Sequence, residues 1–340
     1  MGANRMNAPT RSEQSMRKSR LVYILAASHS GSTLLAMLLA SHPEICTVGE
    51  LKATSLGDQD QYLCSCRRKI LDCPFWIGIR QDMAERGFDF DIANAGTDIR
   101  SGASRYVRKL LRPLHRGPFV ELARDFFLGL SPVWRKQLPH IQSLNANLMD
   151  CVLSRTGAHV IADSSKIGIR LKYLLANSML DVKVIRLVRD GRGVALTYMD
   201  PATYADATDP NLRGGGRGGD REAERLTMAQ AAYEWRRSNE EGAAIVQGLD
   251  PSNWRIVTYE NLCTDTQETM QQLYEFLGVD PSHRIENFRE GDQHVIGNGM
   301  RLDTSSEVRL NEEWRKVLSK DDLDIFQSVS GELSRRLGYT

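Results

Sequence analysis

The chain has 340 residues, with 44 Lys and Arg against 43 Asp and Glu for a formal charge of +1, and is 41% hydrophobic and 26% charged. These values exclude a wholly disordered chain, a collagen-like chain and a multi-span membrane protein. The even charge balance argues against a general binder of nucleic acid, whose affinity rests on a large positive excess.

Residues 1–19 read as a loose polar tail. Leu21–Ala27 is a short apolar run rich in β-branched and aromatic residues, the pattern of a fully buried strand. It is far shorter than the ~20 apolar residues of a spanning helix, so no membrane span is expected and the chain reads as cytoplasmic. Ser32 to Ser41 reads as a helix ended by His42-Pro43, because the residue before proline avoids the α region. Between strand and helix lies Ser28-His29-Ser30-Gly31. Residues 58–155 read as a helical insertion, with patches at Tyr106–Leu114, Val120–Leu128 and Leu138–Leu153. Further strands are expected at His159–Asp163, Val182–Val188 and Trp254–Tyr259, and helices at Ile167–Ala176, Gly193–Met199 and Thr266–Leu277, the last capped by Thr264 or Asp265. Alternating strands and helices imply an α/β fold, a parallel β-sheet flanked by helices on both faces, within one domain over 20–340. The glycine run Gly214–Gly219 marks residues 200–225 as a mobile loop.

Three of the six cysteines cluster as Cys64-Ser65-Cys66 and Cys73. Six cysteines are too sparse for a disulfide scaffold. Two readings stay open for the cluster: three ligands of a zinc site needing a fourth from elsewhere, or reduced thiols packed in a loop.

A strand that ends in a Gly/Ser-rich loop and opens a helix is a ready anion site, because free backbone N–H groups and the positive end of the helix dipole converge there. In the Walker A frame, G-x-x-x-x-G-K-[ST], Gly31 and Thr33 fit, but Ala26 replaces the first glycine and Ser32 the phosphate lysine. A triphosphatase needs that lysine and a magnesium ion. A loop without it suits a smaller anion and no metal. A second sheet-to-helix crossing carries Arg189 and, eight residues on, Thr197, so that a guanidinium fork and a hydroxyl could meet one phosphate. The alternatives are a P-loop kinase or NTPase, and a non-catalytic nucleotide-binding module on a degenerate P-loop.

Together these segments resemble the sulfotransferases that use 3′-phosphoadenylyl sulfate (PAPS), in particular bacterial members related to the carbohydrate and tyrosylprotein enzymes. His29-Ser30-Gly31-Ser32-Thr33-Leu34 is similar to the family loop that holds the 5′-phosphosulfate, with histidine where many members carry Lys or Arg. Arg189 and Thr197 match the pair that holds the 3′-phosphate, with threonine in place of serine. Ser41-His42-Pro43-Glu44 with Gly49-Glu50, Asp163-Ser164-Ser165-Lys166, Tyr259-Glu260-Asn261-Leu262, Gly297-Asn298-Gly299-Met300-Arg301 and Cys73-Pro74-Phe75-Trp76 resemble further family segments. The resemblance implies a P-loop NTPase-like sulfotransferase fold with helical insertions. It implies PAPS as co-substrate, held by Ser30, Gly31, Ser32, Thr33, Leu34, Arg189, Thr197, Tyr259, Asn298 and Arg301. Glu50 would be the general base, His29 and Lys166 would stabilise the leaving oxygen, and the reaction would require no metal. The acceptor would be a small-molecule or carbohydrate hydroxyl, with Trp134, Tyr198, Tyr204 and Trp235 as rings able to stack on it.

Overall fold

The computed structural model describes residues 18–52, 56, 60–112, 117–205, 207–213, 224–283, 285–291 and 293–340. The expected tail, apart from its last two residues, and the glycine run at 214–219 lie outside these residues.

The strands are β1 (Ser19–Ala26), β2 (Ile45–Gly49), β3 (Val160–Lys166), β4 (Leu180–Val188) and β5 (Trp254–Thr258), in the order β2-β3-β1-β4-β5 and all parallel. β1 is central, with Leu25 opposite both Lys166 and Arg186. It is also the switch point, since β2 and β3 lie to one side of it and β4 and β5 to the other. In such sheets the crevice at the carboxyl ends beside the switch point is where ligands bind.

Alternate residues of β1 feed two cores. Leu21, Tyr23 and Leu25 join one, and Val22 and Ile24 the other. The Val22 face is covered by α1 (Ser32–Leu39), whose Leu34, Leu35, Leu38 and Leu39 are all buried. The Leu21 face is covered by α2 (Pro74–Glu85) and α5 (Pro132–Thr156), through Trp76, Ile79, Met149 and Val152. Between them, α3 (Arg105–Leu110) and α4 (Pro118–Leu130) form a satellite cluster with Trp134 and Ile169. Part of the expected 58–155 insertion is therefore the sheet's own cover, and α5 continues through Pro139.

In the second half, α6 (Gly168–Leu175) and α7 (Gly191–Met199) follow β3 and β4. After the single turn α8 (Pro201–Tyr204) comes α9 (Met228–Gln247), opened by a capping box between Thr227 and Gln230. Beyond β5 lie α10 (Tyr259–Thr264), α11 (Thr266–Leu277), α12 (Trp314–Val317) and α13 (Lys320–Arg336). Asp265 occupies the N-cap of α11, where its side chain makes no hydrogen bond to the helix amides and instead accepts from the Thr264 hydroxyl at 2.7 Å. A third core joins α7, α9 and α13 through Val194, Trp235 and Phe326. No helix among the described residues is long and apolar enough to cross a membrane.

Candidate active site

The strand order places four segments in a row along the carboxyl edge. Glu50 follows β2, Lys166 ends β3, His29–Gly31 follow β1 and Arg189 follows β4, with Tyr259 beyond β5.

The loop after β1 is sterically tuned. Gly31 is left-handed (φ 89°), and a Cβ there would stand 2.6 Å from Cδ2 of Tyr259. Only glycine lets the tyrosine ring pack under the loop. His29 is also left-handed (φ 63°), and its ring meets Tyr198 edge-on at 4.6 Å between centroids. The first-turn N–H groups of α1, on Ser32, Thr33 and Leu34, have no acceptor within the helix. The Ser30 Oγ is buried and has no hydrogen-bond partner. An orphaned hydroxyl beside open amides at a helix N-terminus is the donor set that an anion satisfies.

Arg189 is buried and locks this loop to its surroundings. Its Nη1 donates to the His29 carbonyl at 2.9 Å, its Nη2 donates to the Asn311 carbonyl at 3.2 Å, and its guanidinium lies 4.3 Å from the centre of the Tyr259 ring. The Tyr259 hydroxyl donates to the Arg309 carbonyl (3.3 Å) and accepts from the Asn311 amide (3.4 Å). Burial pushes that phenol up to about 12, so it is a neutral donor. Thr197 is buried, and its hydroxyl donates to the Gly193 carbonyl at 3.0 Å, a turn back in α7. Gly193 itself sits against Arg189, since a Cβ there would be 3.4 Å from Nε. The structure thus brings Arg189, Tyr259 and the β1 loop into direct contact, and sets Thr197 one turn away with its proton already engaged.

On the other side of β1, Lys166 is ion-paired with Glu50, and Lys52 approaches the same carboxylate at 3.3 Å. A register shift between β1 and β3 just before Lys166 re-aims that side chain, and Lys166 takes a left-handed backbone (φ 69°). Burial pushes the Glu50 carboxyl up, but the Lys166 and Lys52 charges outweigh it and hold the group at about 2. Asp163 and Ser165 anchor the segment. The fully buried Asp163 takes Arg170 through Nε (3.2 Å) and Nη2 (3.1 Å) and accepts from the Leu51 amide at 3.3 Å. Ser165 Oγ accepts from the Lys52 amide at 2.9 Å. Lys52 and Arg170 were not singled out in the sequence; the signal available for Lys52 was a second lysine within reach of the Gly49-Glu50 turn.

The segment at 293–302 closes this end. Ile296 donates to the Val48 carbonyl at 2.9 Å and bridges Gly49, where a Cβ would meet the Ile296 oxygen at 2.1 Å. Gly297 packs over Glu50, a Cβ there falling 3.1 Å from the Glu50 Cγ. Asn298 caps the turn at 299–302 and donates to the Ala205 carbonyl. Arg301 is buried, and its guanidinium donates to the carbonyls of Gly297 (2.7 Å), Asn298 (3.0 Å) and Leu63. Both side chains hold this closing segment in place.

His29 and Tyr198 also line a cleft of about 490 Å³ with Pro201, Gln230, Tyr233 and Glu234. Of the four candidate stacking rings, Trp235 and Trp134 are buried in the core, Tyr204 packs against the third core, and only Tyr198 faces this cleft.

The known proteins similar to this chain are sulfotransferases. The sulfotransferase family profile matches residues 143–283, from within α5 to just beyond α11. Carbohydrate sulfotransferase 1 of Rattus norvegicus is 25% identical over 97% of this chain and 82% of its own length. The same-named protein of Homo sapiens is 24% identical over 98% and 82%. Among solved structures, the sulfotransferase domain from the curacin biosynthetic pathway aligns with a TM-score of 0.47 and 17% identity, over 95% of this chain and 99% of that one. By family profile and by relatives, the chain is similar to sulfotransferases.

Proposed function

We propose that the chain moves the sulfuryl group of PAPS onto a hydroxyl group of a carbohydrate or small metabolite. The observation that carries this reading is the row of anion-holding groups along one sheet edge. The loop after β1, with its orphaned Ser30 hydroxyl, and the Arg189–Tyr259 stack lie on one side of the β1–β3 boundary, and the Lys166–Glu50 pair lies on the other.

The amides of Ser30 to Leu34 hold the 5′-phosphosulfate. Arg189 holds the 3′-phosphate, and Thr197 joins it by turning its proton from the Gly193 carbonyl to the phosphate. Tyr259 presents its ring to the nucleotide, while Asn298 and Arg301 shape the segment that covers the site. His29 and Lys166 donate to the oxygen on which charge builds as its bond to sulfur breaks. Glu50 takes the acceptor's proton as the new bond from sulfur to the acceptor oxygen forms. The products are a sulfate ester and the nucleoside bisphosphate, and Glu50 returns its proton to solvent.

A carboxyl held at about 2 is a weak base while it faces Lys166. Once Lys166 turns to an incoming anion, Glu50 loses its main counter-charge and burial raises its proton affinity. Base strength is thereby tied to donor binding, which protects the donor from idle hydrolysis. The cleft beside His29, with Tyr198, Tyr233, Gln230 and Glu234, offers the mixture of ring faces and polar groups that suits a sugar. A carbohydrate acceptor also agrees with the names of the relatives.

The test is transfer of radiolabelled sulfate from PAPS to a panel of saccharides and small alcohols. Glu50→Gln should lower turnover by roughly 10²- to 10⁴-fold, the range for a lost general base. Affinity for the desulfated nucleotide should stay within about twofold of wild type. Unchanged turnover at saturating acceptor removes Glu50 as the base, and no transfer to any acceptor removes the reading as a whole.

A further inference from the structure

The catalytic reading leaves one cluster of side chains unused. Cys64, Cys66 and Cys73 are joined by His294, and the four ligand atoms lie within 4.8 Å of one another. Cys64 and Cys73 are fully buried, and Cys66 is at the rim. We propose that these residues form a structural zinc site, a Cys3His centre that ties the 62–76 segment to the covering segment at 293–302.

Tetrahedral zinc, with Zn–S of about 2.3 Å and Zn–N of about 2.0 Å, requires S···S separations of about 3.8 Å and S···N separations of about 3.5 Å. The Cys66 and Cys73 sulfurs are 3.7 Å apart, and His294 Nδ1 lies 3.3 Å from Cys73 Sγ and 3.7 Å from Cys64 Sγ. These are the separations of ligands sharing one small ion. Three sulfurs with one imidazole is a closed structural set, with no position left for a reacting molecule.

The backbone gathers the three cysteines. Cys64-Ser65-Cys66-Arg67-Arg68 makes a tight turn, closed by the Cys64 amide on the Arg68 carbonyl (2.9 Å) and the Arg67 amide on the Cys64 carbonyl (2.8 Å), with Arg67 left-handed (φ 62°). Cys73 is the N-cap of α2. Phe75 stacks on His294 at 4.4 Å and 8°, fixing the imidazole plane. Zinc binding displaces the thiol protons to solvent, and three thiolates with a neutral imidazole leave the centre with one net negative charge.

The fourth ligand comes from 221 residues beyond Cys73, which gives the site its mechanical meaning. Next to it, Ser65 accepts from the Val295 amide (2.8 Å) and donates to the Gln293 carbonyl (2.6 Å), and the Gly297 amide donates to the Tyr62 hydroxyl (2.8 Å). The same strip then bridges Gly49 and packs over Glu50. Zinc is therefore a staple that holds the cover of Glu50 against β2, outside the chemistry itself.

The test uses the full chain purified under reducing conditions without chelator. Elemental analysis should give about one zinc per chain. X-ray absorption at the zinc edge should show three sulfurs at about 2.3 Å and one nitrogen at about 2.0 Å. Exchange with Co2+ should produce a strong sulfur-to-cobalt charge-transfer absorption and tetrahedral ligand-field bands. Cys66→Ser, at the rim, should lower zinc retention roughly tenfold or more against a competing chelator. Sub-stoichiometric metal that added Zn2+ does not raise overturns the proposal, as does a zinc environment of oxygens and nitrogens alone. None of these readouts depends on sulfuryl transfer, so they stand or fall apart from the catalytic assignment.

Discussion

Arg189→Ala should weaken binding of the desulfated nucleotide by about 2–3 kcal/mol, roughly 30- to 150-fold, the scale for removing a charged hydrogen-bond partner. The geometry explains why the effect falls at the upper end. The guanidinium stacks on Tyr259 and bonds the carbonyls of His29 and Asn311. In the proposed function its loss removes a phosphate ligand, and it also breaks the arginine's link between the β1 loop and Asn311. Arg189→Lys should recover little, because a single ammonium cannot bond two carbonyls and lie flat on a ring at the same time. Calorimetry that finds wild-type affinity in Arg189→Ala would remove the arginine from the nucleotide site.

Lys166→Met should cost turnover roughly 10²- to 10³-fold, the range for losing one preorganised donor to developing charge. The same change alters Glu50. With its first counter-charge gone, burial acts on the carboxyl against Lys52 alone, and its proton affinity rises. The sign for stability follows. The folded-state value of about 2 lies below the ordinary 4.5, so ionised Glu50 stabilises the fold above pH 4.5, and that contribution is lost as pH falls from 4.5 towards 2. It amounts to at most about 3 kcal/mol, at 1.36 kcal/mol per unit. Lys166→Met should therefore lower the melting temperature at pH 7 and leave a smaller difference from wild type near pH 3. Wild-type turnover in this variant would show that Lys166 does not meet the leaving oxygen. A constant stability gap between pH 7 and 3 would show that its pairing with Glu50 does not titrate as described.

The start of the chain was legible because its signals are local. Leu21–Ala27 is apolar throughout, the following loop is polar and small, and the leucines of α1 repeat on a helical period, so strand, loop and helix follow from about twenty residues. β3, β4 and β5 are visible for the same reason. β2 is not, since Ile45-Cys46-Thr47-Val48-Gly49 is short and mixed, and it becomes a strand by pairing with β3 and with the strip at Ile296. α9 and α13 were missed despite usable signals, Thr227 with Gln230 and Ser319 with Asp322, both capping boxes.

The site divides in the same way. His29 to Leu34 and Arg189 are marked by where sheet meets helix. What the sequence could not supply is which polar groups the folded chain engages itself. Thr197 has its proton on Gly193, and Arg301 spends its guanidinium on three carbonyls. Nor can spacing show that Lys52 flanks Glu50 in space, or that His294 completes the cysteine cluster, because such pairings exist only after the sheet edge has closed.

The most direct test is isothermal titration of the purified chain with the desulfated nucleotide, 3′-phosphoadenosine 5′-phosphate, in magnesium-free buffer and again with added magnesium. Two sheet-to-helix crossings that hold a bisphosphate with backbone amides and Arg189 should bind it with the same affinity whether or not magnesium is present. A chain that is silent to this nucleotide and instead captures magnesium-ATP would contradict the account.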